Sequence, residues 1–386
     1  MRRRVAAGVV LACLAAGCSG SSTPHAGSTP TNKGSSTTSS YGGTIPLAVA
    51  IPKIEAFVES ERGLKFKHKV KVTLLSTPKF VAKLKSLEGK DDAKDAEKLR
   101  ATFSALGLIP ASTDLLKAFK AAYDQGTIGF YDFKSKQLYV RGTKATPGVQ
   151  AVLSHELTHA LDDQWFGLDR PGLDKSNQEL GLAFTALSEG DAERTRMAFE
   201  AKLSSADKAA ATKEENSGGT PKVPQIVLQI IGFPYAAGPD FVDAVVKHGG
   251  IGALNAAYRK PPVSSEQILI PDRFFSHDVP KHVAYPHADG TVIDKGDLGL
   301  IGLFLTLAQQ LGQSDAATGV RGWGGDEYVV WKASPSRYCL RDSVVMDDVD
   351  SIVALHTALA QWSNKSNGKM HVDQSGATTT FTSCSS

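Results

Sequence analysis

Six residues constrain this chain more than any others: Ser154-His155-Glu156-Leu157-Thr158-His159, an H-E-x-x-H run inside an apolar pattern of helical period. On a helix, positions i and i+4 lie on one face about one turn apart, which sets the His155 and His159 imidazoles side by side. That spacing suits one Zn²⁺. It also leaves Glu156 beside the metal's open position, where it can take a proton from water. From Pro147 to Trp165, Val149, Leu153, Leu157, Ala160 and Leu161 recur at helical spacing, while His155, Glu156, His159 and Asp163 fall on the other side with Val152. The pattern predicts one stripe buried in a core and the histidines lining a cleft. Thr146-Pro147 supplies a capping hydroxyl and a first-turn proline to open the helix.

A catalytic zinc site usually has three protein ligands and a water. Downstream lies Ala186-Leu187-Ser188-Glu189-Gly190-Asp191-Ala192-Glu193, inside a second apolar-periodic helix with Leu182, Ala183, Phe184, Ala186 and Leu187. Glu189 is the candidate third ligand. Gly190 and Ala192 beside it are expected to let this helix approach the first closely. Glu193, at i+4, shares the Glu189 face and suits a hydrogen bond from a ligating imidazole, which fixes the tautomer and raises ligand basicity.

His155–Leu161 (HELTHAL) followed by Ala186–Glu193 (ALSEGDAE) resembles the gluzincin metallopeptidases, the zincin clan that includes thermolysin. The resemblance implies HExxH on one helix, a glutamate ligand on the next, and an acid four residues later, which Glu193 matches. No G-x-x-H follows His159, so the third-histidine pattern of the metzincins is absent. More narrowly, the chain is similar to a group of bacterial metallopeptidase lipoproteins whose activity is inferred. Their motifs read here as His155–Gln164, Glu189–Ala192, Pro234–Phe241 (PYAAGPDF) and Pro262–Pro271 (PVSSEQILIP), within residues 110–335. Relatives often carry a histidine where Ile270 stands, so no catalytic role is assigned there.

The N-terminus reads as a targeting segment. Arg2-Arg3-Arg4 precedes an apolar stretch from Val5 to Ala16, too short to span a bilayer. Leu14-Ala15-Ala16-Gly17-Cys18 resembles a bacterial lipobox, which implies cleavage after residue 17 and lipidation of Cys18 on the extracytoplasmic face of the cell membrane; an ordinary signal peptide is the alternative. The three Arg of residues 1–17 account for the whole formal net charge of +3, so the mature chain is balanced. A balanced chain argues against nucleic-acid binding, which needs a basic patch. Beyond Cys13 and Cys18 only Cys339 and Cys384 remain. In an oxidising compartment these are expected to form one disulfide that pins the C-terminal tail and contributes roughly 3–4 kcal/mol on a chain-entropy estimate.

Residues 18–44 are rich in Ser, Thr, Gly and Pro and read as a lipidated cysteine with a flexible tether. Residues 45–362 are expected to form one α+β domain, mostly helical, and 363–386 a polar, disulfide-tied tail with a β-like end. Helical spacing marks Pro52–Leu64, Lys79–Arg100 and Ser112–Tyr123, and alternation marks a strand over Lys69–Thr77. Gly126–Arg141 reads as a hairpin before the HExxH helix; by the resemblance, it belongs to a small zincin-like sheet whose edge pairs with extended peptides. Leu203–Val223 reads as a polar surface loop. Separate helical patterns follow at Gln225–Ile231, Asp240–His248, Gly252–Tyr258 and Leu298–Leu311.

These residues point to a membrane-anchored zinc metallopeptidase acting on peptides or proteins at the cell envelope. One Zn²⁺ is held by His155, His159 and Glu189, and Glu156 is the general base. A tetrahedral oxyanion needs a further donor, for which Tyr235 is the candidate and His277 and Tyr328 are rivals. Two alternatives stay open: a zinc hydrolase for non-peptide or cell-wall amides, and a non-catalytic envelope lipoprotein with a structural zinc.

Overall fold

Helical periods dominate the chain up to about residue 275 and β-branched strands dominate its C-terminal part, and the α+β fold, mostly helical, follows that division. The computed structural model describes residues 41–386 apart from 90, 171, 174–177 and 220. Residues 1–17, Cys18 and the tether up to residue 40 lie outside the described residues.

α1 (Leu47–Arg62), β1 (Lys71–Leu75), α2 (Thr77–Ser86), α3 (Asp92–Ala105) and α4 (Leu115–Gly126) come first. The next two strands, β2 (Gly129–Asp132) and β3 (Gln137–Arg141), pair antiparallel around a turn in which Lys136 takes a left-handed φ of 54°. β1 adds to β3 in parallel, giving the order β1-β3-β2 with β2 at an edge. Then follow α5 (Pro147–Phe166), α6 (Gln178–Ala201), α7 (Ser205–Glu215), α8 (Gln225–Arg259) and the short α9 (Ser265–Leu269) and α10 (Pro271–Phe275). The C-terminal part runs β4 (Thr291–Gly296), α11 (Gly299–Leu311), α12 (Gln313–Gly319), β5 (Trp323–Ser334), β6 (Arg337–Met346), α13 (Val349–Lys365), β7 (Met370–Ser375) and β8 (Thr378–Cys384). Its antiparallel sheet has the order β4-β5-β6-β8-β7.

Three larger apolar cores, with two small clusters around Phe80 and Trp331, hold these layers. One lies between α1, the three-stranded sheet and α5, built from Ile54, Val140, Leu153 and Leu157 among others. A second joins α6, α8 and α9 through Leu187, Phe241 and Tyr258. The largest packs α3, α4, α11 and α13 on the five-stranded sheet around Leu303, Trp323 and Leu340. None of the described helices is long and apolar enough to cross a membrane.

Several expectations are corrected. The segment 203–223 is not a loop: most of it is α7, packed on α5, with Thr146 Oγ1 donating to Glu214 at 2.6 Å. The patterns at Gln225–Ile231 and Asp240–His248 are one continuous helix through Pro234 and Pro239, whereas Gly252–Tyr258 is set apart as expected, because Gly249 and Gly250 leave the helical conformation and Gly250 takes φ 66°; α8 thus has two helical segments joined at a kink. Tyr235, the candidate oxyanion donor, is therefore helical. Residues 370–384 are not a tail but two strands, with β8 inserted between β6 and β7, so the domain continues past residue 362. Cys339 and Cys384 stand directly opposite in register with sulfurs 1.94 Å apart, a disulfide distance. At the other end, Tyr41 packs its ring on Phe57 and Phe199, and the Gly43 N–H donates to Asp207 at 2.9 Å. Residues 41–44 therefore belong to the packed structure.

Candidate metal centre

Thr146 caps α5 by accepting from the Val149 N–H, and Pro147 occupies its first turn, where a missing N–H costs nothing. The helix departs from expectation in one respect. Its polar stripe does not line an open cleft; every residue from Val149 to Asp163 is buried. The three-stranded sheet and α1 cover one side, and α6 and α7 cover others. Ionisable side chains buried this deeply must be paired or must hold a metal.

His155, His159 and Glu189 are brought together. His155 Nε2 lies 3.1 Å from His159 Nε2, and each stands 3.2 Å from Glu189 Oε2. Their exposures are 0%, 1% and 1%. Tetrahedral zinc with bonds of about 2.0–2.1 Å separates its ligand atoms by about 3.3 Å, so this near-equilateral triangle fits the ion. Both imidazoles can donate an N–H to the one Glu189 oxygen, and the same convergence of three donor atoms would also suit one cation. Among the described residues no fourth His, Cys, Asp or Glu joins the group.

Outer partners hold the imidazoles. Ser188, on α6 beside Glu189, places its Oγ 3.2 Å from His159 Nδ1. His155 Nδ1 is 3.5 Å from Glu193 Oε2, at the outer limit of hydrogen-bond reach. Glu193 is itself clamped by Arg196, through Nε at 2.8 Å and through Nη2, and Arg196 Nη1 also meets Glu200. Burial raises the Glu193 pKa, but Arg196 and His155 outweigh it and hold the carboxyl at about 2. Glu189 behaves alike: burial opposes ionisation, and the two histidines bring it to about 2. Burial lowers the His155 pKa, whereas Glu189, Glu193 and Glu156 raise it to about 10. The pocket is thus built around positive charge. Ser188 and Arg196 were missed in the sequence; only their helical spacing from Glu189 and Glu193 pointed to them.

Glu156 lies on α5 between the two histidines and is fully buried; the Tyr131 backbone N–H on β2 faces its carboxylate, but neither oxygen makes a well-formed hydrogen bond. Burial, resisted in part by the charge of His155, pushes its pKa up to about 8. The edge strand β2 comes against it at Gly129, where a Cβ would stand 2.5 Å from Val152 Cγ1 and 3.3 Å from Glu156 Cγ. Only glycine allows that approach. Tyr131 on β2 and Lys136 in the turn both reach Asp163 Oδ2, at 3.1 and 2.6 Å, which ties the hairpin to the metal helix.

Tyr235 stacks its ring on the His155 imidazole, with centroids 6.2 Å apart and planes 18° apart. The rivals are placed differently: the Tyr328 hydroxyl takes a hydrogen bond from Gln178 at 3.0 Å, and His277 is exposed in a turn. Glycine sets the approach of α8. A Cβ on Gly190 would fall 2.2 Å from the Gly238 carbonyl carbon, and one on Gly238 would fall 2.3 Å from the Ala186 oxygen. The expectation that Gly190 brings α6 onto α5 is corrected, since its contact is with α8. Glu266 and Gln267 sit at α9; Gln267 accepts from the Val263 N–H at 2.8 Å and serves the local turn.

Comparison of the chain with protein-family models, with curated proteins and with solved structures finds no match. The functional reading therefore rests on the residues and their geometry.

Proposed function

We propose that this protein is a zinc metallopeptidase of zincin-like, HExxH-plus-glutamate type, anchored through Cys18 to the extracytoplasmic face of the cell membrane. The observation that carries the reading is the triangle of His155 Nε2, His159 Nε2 and Glu189 Oε2 at 3.1–3.2 Å, with a buried carboxylate, Glu156, beside it. These three atoms would hold one Zn²⁺. Zinc bound there supplies Lewis acidity, which acidifies a water and polarises a carbonyl.

The chain's own groups perform the proton work. Glu156, buried beside the three ligand atoms, would take a proton from a water and return it to a leaving amine. Tyr235, held over His155 by the Gly190–Gly238 contact, is the candidate donor to the developing oxyanion. Glu193, fixed by Arg196, and Ser188 orient the two imidazoles. The β2 edge beside Glu156 supplies backbone groups suited to an extended peptide. Three converging ligands favour an open catalytic site over a closed structural one, which takes four protein ligands.

The test is metal analysis of the soluble domain together with profiling on peptide libraries and cell-wall fragments. About one Zn²⁺ per chain is expected, lost in His155→Ala and His159→Ala, with hydrolysis of peptides. Full zinc occupancy in the double histidine variant would sink the site; cleavage of cell-wall amides alone would redirect the substrate class.

A further inference from the structure

Four side chains that the HExxH chemistry does not use meet inside the helical layer. Arg62, the last residue of α1, is fully buried, as are Asp162 on α5, Asp191 on α6 and Tyr258 near the end of α8. The Arg62 guanidinium donates to Asp162 Oδ1 through Nη2 at 2.7 Å and Nε at 3.0 Å, and its Nε lies 2.9 Å from Asp191 Oδ2. The Tyr258 hydroxyl stands 3.0 Å from Asp162 Oδ2 and 3.0 Å from Asp191 Oδ2. Its ring is stacked on Phe166 with centroids 4.8 Å apart, which fixes where the hydroxyl points.

The positions of the two aspartates give the group its meaning. Asp162 follows His159 by three residues, and Asp191 follows Glu189 by two. The two helices that carry the candidate ligands are therefore joined twice, once by a guanidinium and once by a phenol, close to those ligands.

Stability alone does not account for this. Packed apolar side chains of similar volume usually hold buried helices at least as well as a buried ion group. The group is also incompletely satisfied: Arg62 Nη1 and Asp191 Oδ1 lack hydrogen-bond partners, which makes it costlier than an apolar filling. What a planar guanidinium does better than leucine is fix direction and distance between two carboxylates. A metal site needs that, because its ligand atoms must be placed within about 0.2 Å.

We propose that Arg62, with Asp162, Asp191 and Tyr258, is a positioning group that sets the register of α5 on α6 and so the geometry of the His155–His159–Glu189 metal site. This rests on the metal reading above.

The test compares wild type, Arg62→Lys and Tyr258→Phe in three measurements. These are zinc affinity by chelator competition, the visible absorption of the cobalt-loaded protein, and the melting temperature of the metal-free protein. Arg62→Lys keeps the charge but loses the fork, and zinc affinity is expected to fall about 10–100-fold, as for other outer partners of metal ligands. Tyr258→Phe keeps the ring and every charge, and a fall of about 10-fold is expected. In both, the cobalt bands should shift or weaken, because the ligand field reports ligand placement. Variants that melt lower without metal yet keep wild-type zinc affinity and cobalt bands would overturn the proposal and leave the group as packing. Should Arg62→Lys fail to fold, Tyr258→Phe alone decides. If wild type itself binds neither ion, the metal reading is what fails, and the variants are not needed to see it.

Discussion

Buried acids occur in two regions of this molecule, and they are compensated by different means. Around the triad, Glu189 and Glu193 face imidazoles and the Arg196 guanidinium, and both are held ionised with pKa values of about 2. Between the helices and the five-stranded sheet, Glu179, Asp297 and Asp326 are buried against backbone donors, and Asp342 is buried near them. The Ser265 N–H donates to Glu179 at 2.6 Å, the Leu298 and Gly299 N–H groups donate to Asp326 at 2.7 and 3.0 Å, and the Glu179 N–H donates to Asp297. These donors lie at helix starts, where partial positive charge collects. It is not enough: burial and neighbouring carboxylates raise Glu179 and Asp342 well above the usual carboxylate range, and both oxygens of Asp342 lack a partner. Side-chain cations hold Glu189 and Glu193 low, although burial still raises Asp162 to about 7 beside Arg62, whereas helix dipoles shared among several acids leave Glu179 and Asp342 raised. Glu156 sits in the first region yet behaves like the second, raised to about 8.

The sharpest way to break this contrast is Glu156→Gln. It keeps shape and removes basicity, so zinc content should stay as in wild type while turnover drops by about 10²–10⁴-fold. Equal hydrolysis by both proteins would place the chemistry elsewhere, and loss of zinc would make Glu156 a ligand.

A smaller effect is the pH dependence of the metal-free protein. Glu156, raised by burial to about 8 in the folded chain against an ordinary 4.5, binds a proton that the unfolded chain releases. His155, at about 10 against 6.5, does the same. Stability from both is present at low pH and is lost as pH rises, through 4.5–8 for Glu156 and 6.5–10 for His155. Melting midpoints across this range should fall with pH, most steeply where the windows overlap. Glu156→Gln should remove the lower window. Zinc should flatten the curve, because it takes the place of the His155 proton. A metal-free protein that gains stability from about pH 5 to about pH 8 would contradict the charge balance drawn here.

The smallest effect belongs to the sheet side. Asp342 is buried without partners, and its raised pKa also removes stability as pH rises above 3.8. Asp342→Asn keeps a neutral side chain of the same size. It should change stability at acid pH by no more than about 0.5–1 kcal/mol and raise the melting temperature at alkaline pH. Zinc should leave the Asp342 effect untouched while altering that of Glu156. A large loss of stability in Asp342→Asn at every pH would mean that its carboxylate has an ionic role.

Local spacing made the centre's raw materials legible. The i, i+4 rule placed His155 near His159 and Glu193 near Glu189, and alternation gave the β2–β3 hairpin. What spacing could not supply was the third dimension. Arg62 pairs with Asp162 across 100 residues, and nothing local to either announces it. The apolar stripe of α5 was read as one buried face because periodicity cannot reveal that polar residues are buried too. Sequence spacing breaks α8 both between Ile231 and Asp240 and before Gly252; the second break is present at Gly249-Gly250, but packing against α6 through Gly190 and Gly238 carries the helix across Pro234 and Pro239. The polar stretch that became α7 has few apolar residues, and only its neighbour α5 gives it a reason to fold as a helix. β7 and β8 looked like a tail because they are rich in Ser and Thr, although their pairing with β6 is decided by strands far upstream.

The depth of the triad has a kinetic consequence. Atoms with 0–1% exposure do not exchange with solvent while their neighbours stay in place. An ion held there would leave at the rate at which the surrounding helices and the β2 edge part, not at a rate set by bond strength alone. Anything cut at Glu156 must enter through a parting of the same kind. Chelator stripping and substrate turnover would then share one opening event, and conditions that loosen this layer would speed both together.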